Sequence, residues 1–434
     1  MQSICLGPTA PMRILITHNN FPAQFRHIAE YLGRSREHQI VFATKTPRND
    51  WNIPGVIKAI YSSPETTTKD THILAQAFDE GVRHGHVMLD LCNKLKKGGF
   101  TPDVILGHSG WGQTMFLRDV FPDTPFIGYF EWYYSANSAE VLFDDTEISL
   151  AQKAMLRTRN APILQDLASC CAGITPTAWQ HTQFPIEFQS KLLQAHDGID
   201  TRYFAPASNG KLDISTLSLP STDLSGAEEL VTYSARGMEP YRGFPQFYEA
   251  LPAILEARPK CHILIVGTDR TCYSPRLPKR QTYKQIMQEK VKVDKSRVHF
   301  TGLLPYGKYK QVLQASTVHV YLTWPFVLSW SLLEAMSCGC LVVASDTEPV
   351  REVISHEKNG LFTDFHSSEK IAISTVNALA KQEELVELRR NARNTVLERY
   401  CLSKCLPVHL DLLNQTAQKG SDRFTTPNPT TEKT

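Results

Sequence analysis

Short apolar runs alternate with amphipathic segments along the chain. In the first half these runs are RILITH (13–18), QIVFAT (39–44), DVILGH (103–108), PFIGYF (125–130) and AGITPT (172–177). Runs that are apolar at nearly every position are typical of parallel strands covered on both faces. The pattern restarts after residue 196 with LVTYSA (230–235), HILIVG (262–267), VHFTG (298–302), VHVYL (318–322) and LVVAS (341–345). The sequence therefore predicts an α/β protein with two doubly wound domains.

Two segments depart from this pattern. The stretch SNGKLDISTLSLPSTDLSGAEE, at 208–229, is polar and turn-rich, which predicts a surface excursion rather than a part of the core. The final residues, over 417–434, are rich in Pro, Thr and Lys, and we expect them to be disordered.

Composition narrows the function classes. A chain of 434 residues exceeds what one hydrophobic core usually spans, which favours two domains. With 46 basic and 44 acidic residues and no long basic run, nucleic acid is not expected as a partner. The ten scattered cysteines lack zinc-finger spacing, which favours reduced thiols and a cytoplasmic location. Neither a signal peptide nor a membrane span is predicted, and peripheral contact with the inner face of a membrane stays open.

The stretch YSARGMEPYRGFPQFYEAL carries the first candidate chemistry. A strand ends at Arg236, and Arg242-Gly243 opens an amphipathic helix after a short turn. In open α/β sheets ligands bind beyond the carboxyl ends of the strands. Two guanidiniums beside the amides of a helix N-terminus suit a diphosphate. Spacing alone gives equal weight to the alternative that both arginines are solvated surface charges.

A second candidate follows the strand VHVYL, in the stretch TWPFVLSWSLLEAMSCGC. Ser329 or Ser331 is placed to cap a helix that begins near Trp330. Glu334 is flanked by apolar residues on both sides, so we expect it to be buried, and a buried carboxylate needs a partner. Its two acceptor oxygens suit the adjacent hydroxyls of a ribose. The alternative, in which Glu334 only stabilises its own helix, suits exposed positions better.

These stretches together resemble a known family. SARGMEPYRGF, LSWSLLEAMSCGCLVVASD and PVREVI are similar to the donor half of retaining family-4 glycosyltransferases, also called glycosyl transferase group 1. AHDGIDTRYFAP is similar to the family's linker signature, with Asp197 in place of the usual Asn. The likeness covers most of 12–400. It implies the GT-B fold, in which two Rossmann-like domains face each other across a cleft.

The resemblance also implies a domain layout. An acceptor-side domain would span 12–190 and a nucleotide-sugar donor domain 191–398, with a helix over 399–416 crossing back to the first domain.

On the donor side, the resemblance implies that Arg236 and Arg242 hold the diphosphate and stabilise the leaving group. Glu334 matches the second Glu of the family's E-x7-E pair, which contacts the ribose. The first Glu of the pair falls on Phe326, a departure that leaves the donor sugar open. The expected donor-binding set is completed by Ser329, Trp330 and Ser331 at the helix start and by Gly302 and Leu303 after VHFTG. No D-x-D motif is present, so no metal is expected, and no cofactor besides the UDP- or GDP-sugar substrate.

On the acceptor side, His108 matches the second position of the family's H-x-H and is expected to bind the donor sugar or orient the acceptor. Gly110 and Gly112 would allow a close backbone approach, although turn geometry explains them equally well. The remaining acceptor-side candidates are Asn19, Asn20, Gln24 and Glu131, the last beside the aromatic residues Trp132, Tyr133 and Tyr134. Ordinary loop polarity and packing are the competing explanations for this set.

The resulting prediction is a metal-independent hexosyltransferase that retains anomeric configuration. It would move a sugar from a nucleotide-diphosphate sugar to a glycan, lipid-linked glycan or glycoconjugate in polysaccharide biosynthesis. A catalytically silent nucleotide-sugar-binding or scaffold protein of the same fold is the main alternative, because Phe326 replaces a functional acid. A nicotinamide-dependent dehydrogenase is disfavoured, since no G-x-G-x-x-G follows a strand. A GT-B epimerase would need acid and base residues that the sequence does not identify.

Overall fold

The chain forms two compact units. The structure, a computed structural model, describes residues 10–66, 70–144, 147–208, 210–220, 222–278 and 281–420. Unit 1 combines the chain up to Asp197 with the chain from Ser403 onward, and unit 2 is Gly198–Leu402. The tail predicted to be disordered lies outside the described residues from 421 onward, and its first residues continue a helix that ends at Lys419.

Unit 1 is built on a parallel sheet. Its described strands are β1 (Arg13–Thr17), β2 (Gln39–Thr44), β3 (Val56–Ile60), β4 (Val104–His108), β5 (Phe126–Tyr129), β6 (Ala172–Thr175) and β7 (Leu192–Gln194). They lie in the order β3-β2-β1-β4-β5-β6-β7, with parallel pairing throughout. The five predicted strands of this half are all present. The edge strands β3 and β7 were not predicted, because short edge strands lack a continuous apolar run.

Helices cover both faces of this sheet. In chain order they are α1 (Arg26–Ser35), α2 (Gln76–Lys97), α3 (Leu117–Val120), α4 (Ala139–Leu142), α5 (Leu150–Arg159), α6 (Ala161–Ser169), α7 (Ala178–Thr182) and α8 (Ile186–Gln189). The C-terminal helix α16 (Leu402–Lys419) also packs on unit 1, where Leu406, Leu410 and Leu413 join the core around Ile14 and Ile16.

Unit 2 repeats the architecture. Its strands are β8 (Glu229–Gly237), β9 (Cys261–Thr268), β10 (Val298–Gly302), β11 (Val318–Tyr321), β12 (Val342–Ser345) and β13 (Leu361–Thr363), in the order β10-β9-β8-β11-β12-β13. The helices are α9 (Phe244–Ala257), α10 (Tyr283–Lys290), α11 (Tyr306–Ala315), α12 (Trp330–Ser337), α13 (Glu348–Arg351), α14 (Ser368–Ala380) and α15 (Val386–Thr395). In the described part of the chain, no helix has the length and apolar character needed to span a bilayer.

The segment 208–229 corrects one expectation. It was predicted to lie outside the core, yet Ile214, Leu217, Leu219 and Leu224 are buried and pack with Leu230 of β8. Between them Ser215, Thr216, Ser218 and Asp223 are exposed. The high average polarity of the segment therefore concealed its few buried apolar positions. This segment therefore covers part of the unit 2 sheet.

Strand order decides where ligands can bind. Counted from its own first strand, each sheet has the order 3-2-1-4-5-6, with one further strand in unit 1. In such sheets the direction in which successive strands are added reverses between strands 1 and 4, and the connections after these two strands diverge to leave a crevice at their carboxyl ends. The crevice lies between β1 and β4 in unit 1 and between β8 and β11 in unit 2. Most of the predicted site residues lie at these strand ends and in the segments that follow them, whereas Glu131 follows β5, and Gly302 and Leu303 lie at the end of β10.

Candidate functional site

Arg236 lies exposed near the carboxyl end of β8. Its carbonyl accepts a hydrogen bond of 2.8 Å from Thr268 Oγ1, which fixes the backbone. Among the described residues, no group forms a hydrogen bond or ion pair with the Arg236 guanidinium. A cation held at a strand end with its donors free is suited to an anionic ligand.

Arg242 is buried. Its Nη1 donates to Thr323 Oγ1 at 2.6 Å and to the Val327 carbonyl at 3.0 Å, and the guanidinium lies 5.1 Å from the ring centroid of Tyr273. The Arg242 carbonyl accepts from the Tyr233 hydroxyl at 2.7 Å. Arg242 therefore brings positive charge to the segment before α12 and also holds that segment in place. No carboxylate within the described residues forms an ion pair with it.

Glu239 stabilises the same turn and was not among the residues predicted from the sequence. The side chain is buried, and its Oε2 accepts the backbone amides of Cys272, Tyr273 and Ser274 at 2.7–3.0 Å. These bonds tie the loop after β9 to the turn before Arg242. The only signal in the sequence was that Glu239 is the one acidic residue of SARGMEPYRGF.

Phe326 belongs to an aromatic cluster. Tyr241 stacks on Trp324 with centroids 4.6 Å apart, and Phe326 makes edge contacts with Tyr241 at 5.6 Å and Tyr273 at 5.3 Å. The Phe326 ring is buried. The position at which the family resemblance places an acid is therefore filled by an apolar ring packed against two tyrosine rings.

The start of α12 has the predicted cap. Ser329 Oγ accepts from the Ser331 amide at 3.3 Å and from Ser331 Oγ at 3.0 Å, and the helix begins at Trp330. The Ser329 amide donates to the Tyr321 hydroxyl at 2.9 Å. The cap thus fixes α12 to the end of β11.

Glu334 is 8% exposed and lies on the buried side of α12. Burial, with a contribution from the Glu334 charge, raises the pKa of the Tyr309 phenol well above its usual value. The Tyr309 hydroxyl lies 3.4 Å from Ser234 Oγ on β8. Glu334 is therefore placed near the β8 end that carries Arg236.

Gly302 ends β10 with a φ of +68° and open space where a Cβ would lie. Leu303 follows and is largely exposed. Gly302 and Leu303 therefore present exposed backbone and an exposed apolar side chain where the loop after β10 begins.

In unit 1, three predicted residues come together. His108 ends β4 and is 2% exposed, with Nε2 3.2 Å from Glu131 Oε2. The distance between these two atoms is within the range of an ion pair, but they are not aligned for a hydrogen bond. Gln24 Nε2 donates to Glu131 Oε1 at 2.5 Å, and Gln180 Nε2 donates to the Glu131 carbonyl at 2.8 Å. Glu131 is thus oriented from two sides, with 27% of its side chain exposed.

The ring of Trp111 stacks on His108, a contact that the sequence analysis missed. The centroids are 4.2 Å apart with the planes at 12°, and the edge of His18 meets both rings. Gly110 and Gly112 flank Trp111 with φ of +112° and +87°. A Cβ at Gly112 would lie 2.1 Å from the Gly81 carbonyl, so this glycine is explained by contact with α2. The signal in the sequence was a tryptophan between two glycines.

The loop that carries Trp111 is anchored to Asp166. The carboxyl of Asp166 is 0% exposed, and its Oδ2 accepts from Ser109 Oγ at 2.6 Å and from Thr114 Oγ1 at 2.5 Å. Burial raises the pKa of Asp166 to about 7, although both hydroxyl bonds act to lower it. Gln113 Nε2 donates to the His108 carbonyl at 2.6 Å.

Asn19 and Asn20 make contacts within the loop after β1. Asn19 is buried, its Oδ1 accepts from the Tyr61 hydroxyl at 2.6 Å, and its carbonyl accepts the amides of Lys45 and Thr46. The Asn20 amide donates to His18 Nδ1 at 2.8 Å. Asn19 therefore ties the loop after β1 to the loop after β2. Within the described part of the chain, its hydrogen bonds involve neither His108 nor Glu131.

The predicted aromatic group after Glu131 is engaged in packing. Trp132 is buried and its Nε1 donates to Glu140 Oε2 at 2.7 Å. Tyr134 has Arg159 3.9 Å from its ring centroid. Over the described ranges, no group of three or more His, Cys, Asp or Glu side chains is arranged to hold a metal ion.

Comparisons with known proteins agree with this architecture. A model of the glycosyl transferase family 4 group matches residues 36–204, and a model of glycosyl transferases group 1 matches residues 220–395. An uncharacterized glycosyltransferase of Methanocaldococcus jannaschii is 29% identical over 104 residues, which is 24% of this chain and 26% of that protein. The match thus spans about a quarter of the relative's length.

Solved structures extend the likeness to nearly the whole chain. Sucrose-phosphate synthase from Thermosynechococcus elongatus has a TM-score of 0.70 at 19% identity, covering 94% of this chain and 99% of its own. Anabaena HepE, crystallised with UDP and glucose, has a TM-score of 0.66 at 15% identity, covering 93% and 100%. Identities this low establish a shared fold alone. With the two matched models covering more than half of the sequence, the chain belongs to the family 4, group 1 glycosyltransferases and has the GT-B fold.

Proposed function

We propose that this protein transfers a sugar from a nucleotide-diphosphate sugar to a glycan or glycoconjugate acceptor, with retention of anomeric configuration. The observation that carries the proposal is the placement of Arg236, Arg242 and Glu334 around the end of β8 and the start of α12. The arginines supply positive charge for a diphosphate, and Glu334 supplies acceptor oxygens for a ribose. HepE has also been solved with UDP-glucose, which makes UDP-sugars the first donors to test.

The chemistry follows from the charge that develops on the leaving group. The bond between the anomeric carbon and the phosphate oxygen breaks, and the acceptor hydroxyl oxygen bonds to the same face of that carbon. The acceptor proton passes to the departing phosphate oxygen. Arg236 and Arg242 neutralise the charge on the diphosphate where it accumulates, which removes the need for a bound metal ion.

Calorimetric titration of UDP and GDP tests the donor site. Arg236→Ala should weaken binding of the preferred nucleotide by about 1.5–3 kcal/mol, the value of a charged hydrogen bond. Arg202→Ala, which removes another exposed arginine of unit 2, should leave the affinity unchanged. Equal affinity of the parent protein and Arg236→Ala would remove the diphosphate assignment.

The second candidate function is a silent nucleotide-sugar-binding protein. The buried Phe326 favours it, because an apolar ring cannot orient sugar hydroxyls as a carboxylate does. Release of UDP from UDP-glucose, measured with and without sugar acceptors, separates the two functions. Binding of a nucleoside diphosphate without its release from any tested UDP- or GDP-sugar would favour the silent protein.

A further inference from the structure

Trp111 is an exposed aromatic ring held in a fixed position. It is 38% exposed, which leaves a large apolar surface in contact with water. Exposed apolar area costs about 25 cal/mol per Å² relative to burial, so the fold gains nothing from this exposure by itself. Rigid, partly exposed aromatic rings beside polar groups are typical of ligand-binding surfaces.

Several contacts fix the ring. One face packs on His108, and the His18 ring makes a T-shaped contact with the centroids 5.1 Å apart. The flanking loop is anchored by Ser109 and Thr114 on Asp166. Little side-chain entropy remains to be lost when a ligand stacks on such a ring, which improves affinity.

The surroundings of the ring indicate the ligand. His108 lies between Trp111 and Glu131, and the Glu131 carboxylate is partly exposed and oriented by Gln24. The indole face opposite His108 is flat and apolar, which matches the apolar C–H face of a pyranose. The aromatic residues first considered for sugar contact, Trp132, Tyr133 and Tyr134, are engaged in packing.

We propose that Trp111 binds the acceptor by stacking on the C–H face of a pyranose ring, so that the acceptor is a sugar and not a lipid phosphate or a protein side chain. The assignment of this sugar as the acceptor rests on the proposed function, whereas the binding of a pyranose by Trp111 does not.

The test measures binding of methyl glycopyranosides of glucose, galactose, mannose and N-acetylglucosamine without nucleotide. Saturation-transfer NMR detects such weak binding and shows which ring protons lie against the protein. Trp111→Ala should raise the Kd of the best ligand about tenfold and abolish saturation of its C–H face. Trp111→Phe, which keeps an aromatic ring, should raise the Kd less. Tyr203→Ala removes a similarly exposed ring of unit 2 and should change nothing.

Kinetics with UDP-glucose and the best-bound glycoside give a second measurement. Trp111→Ala should raise the KM for the glycoside about tenfold, with kcat and the KM for UDP-glucose nearly unchanged. A fall in kcat at an unchanged glycoside KM overturns the proposal and makes Trp111 a positioning residue for His108.

The binding measurement decides the proposal even if transfer is not observed. A parent protein that binds none of the four glycosides overturns it, and so does equal binding by the parent and Trp111→Ala. Glycoside binding that depends on Trp111, in a protein that binds no nucleoside diphosphate, supports the stacking site and rejects only the proposed function.

Discussion

Asp166 should make the stability of unit 1 depend on pH in a way that Asp166→Asn removes. The carboxyl is buried with two hydroxyl donors on Oδ2, while among the described residues Oδ1 has no hydrogen-bond partner. Burial raises its pKa from 3.8 to about 7. Between these values the folded protein holds a proton that the unfolded chain releases. The free energy of unfolding therefore falls as pH rises through this window.

The magnitude follows from the size of the shift. One pKa unit corresponds to 1.36 kcal/mol, so a shift of about three units is worth about 4 kcal/mol between pH 4 and pH 8. Asparagine does not titrate, and its carbonyl can still accept from Ser109 and Thr114. Its amide would occupy the place of Oδ1 and cost about 1–3 kcal/mol at every pH. Between pH 4 and pH 8, the free energy of unfolding of the parent protein should therefore fall by about 4 kcal/mol more than that of Asp166→Asn.

Hydrogen exchange of peptides that cover β4 measures this difference within unit 1. Ser109→Ala removes one of the hydrogen bonds that lower the pKa of Asp166, so this pKa should rise further. The fall in the free energy of unfolding should then continue to a higher pH than in the parent protein. Asp103→Asn, which changes a half-exposed carboxylate, is the matched control. Parallel stability curves for the parent protein and Asp166→Asn between pH 4 and pH 8 would refute the reasoning.

Two further predictions concern the proposed catalytic and donor groups. His108→Ala should lower turnover with little effect on nucleotide affinity, because His108 and the two arginines belong to different units; weaker nucleotide binding with normal turnover at saturation would contradict this. Glu334→Gln should weaken nucleotide binding by about 1.5–3 kcal/mol, and a 2′,3′-dideoxy nucleotide should be nearly indifferent to the substitution because its ribose hydroxyls are missing. Natural and dideoxy nucleotides that bind the unmutated protein equally well would end the ribose assignment.

Periodicity located the central strands because a strand covered on both faces is apolar at almost every position. The edge strand β3, VIKAI, is only partly buried and carries a lysine, so its pattern is weak. Strand ends and helix starts identified Arg236, Arg242 and Glu334 as candidates, and the family likeness gave them roles and added His108.

Other features depend on contacts between distant parts of the chain. Asp166 meets the His108 loop across more than fifty residues, and Glu239 meets the 272–274 loop across more than thirty. Neither partnership leaves a local pattern. Trp111 could have been noted between its glycines, but its stacking on His108 depends on loop geometry that spacing does not specify.

The chain leaves unit 1 once and returns to it once, and the two connecting segments run side by side. The Ile199 amide donates to the Tyr400 carbonyl at 2.7 Å, and the Leu402 amide donates to the Ile199 carbonyl at 3.0 Å. Unit 2 is thus one continuous stretch of sequence, inserted between the two stretches that form unit 1. The fragment 198–402 should fold alone, whereas 10–197 would lack Leu406, Leu410 and Leu413 of its own core. Because the ends of the insert are joined by hydrogen bonds, a short glycine-serine linker from 197 to 403 should restore unit 1 as an independent protein.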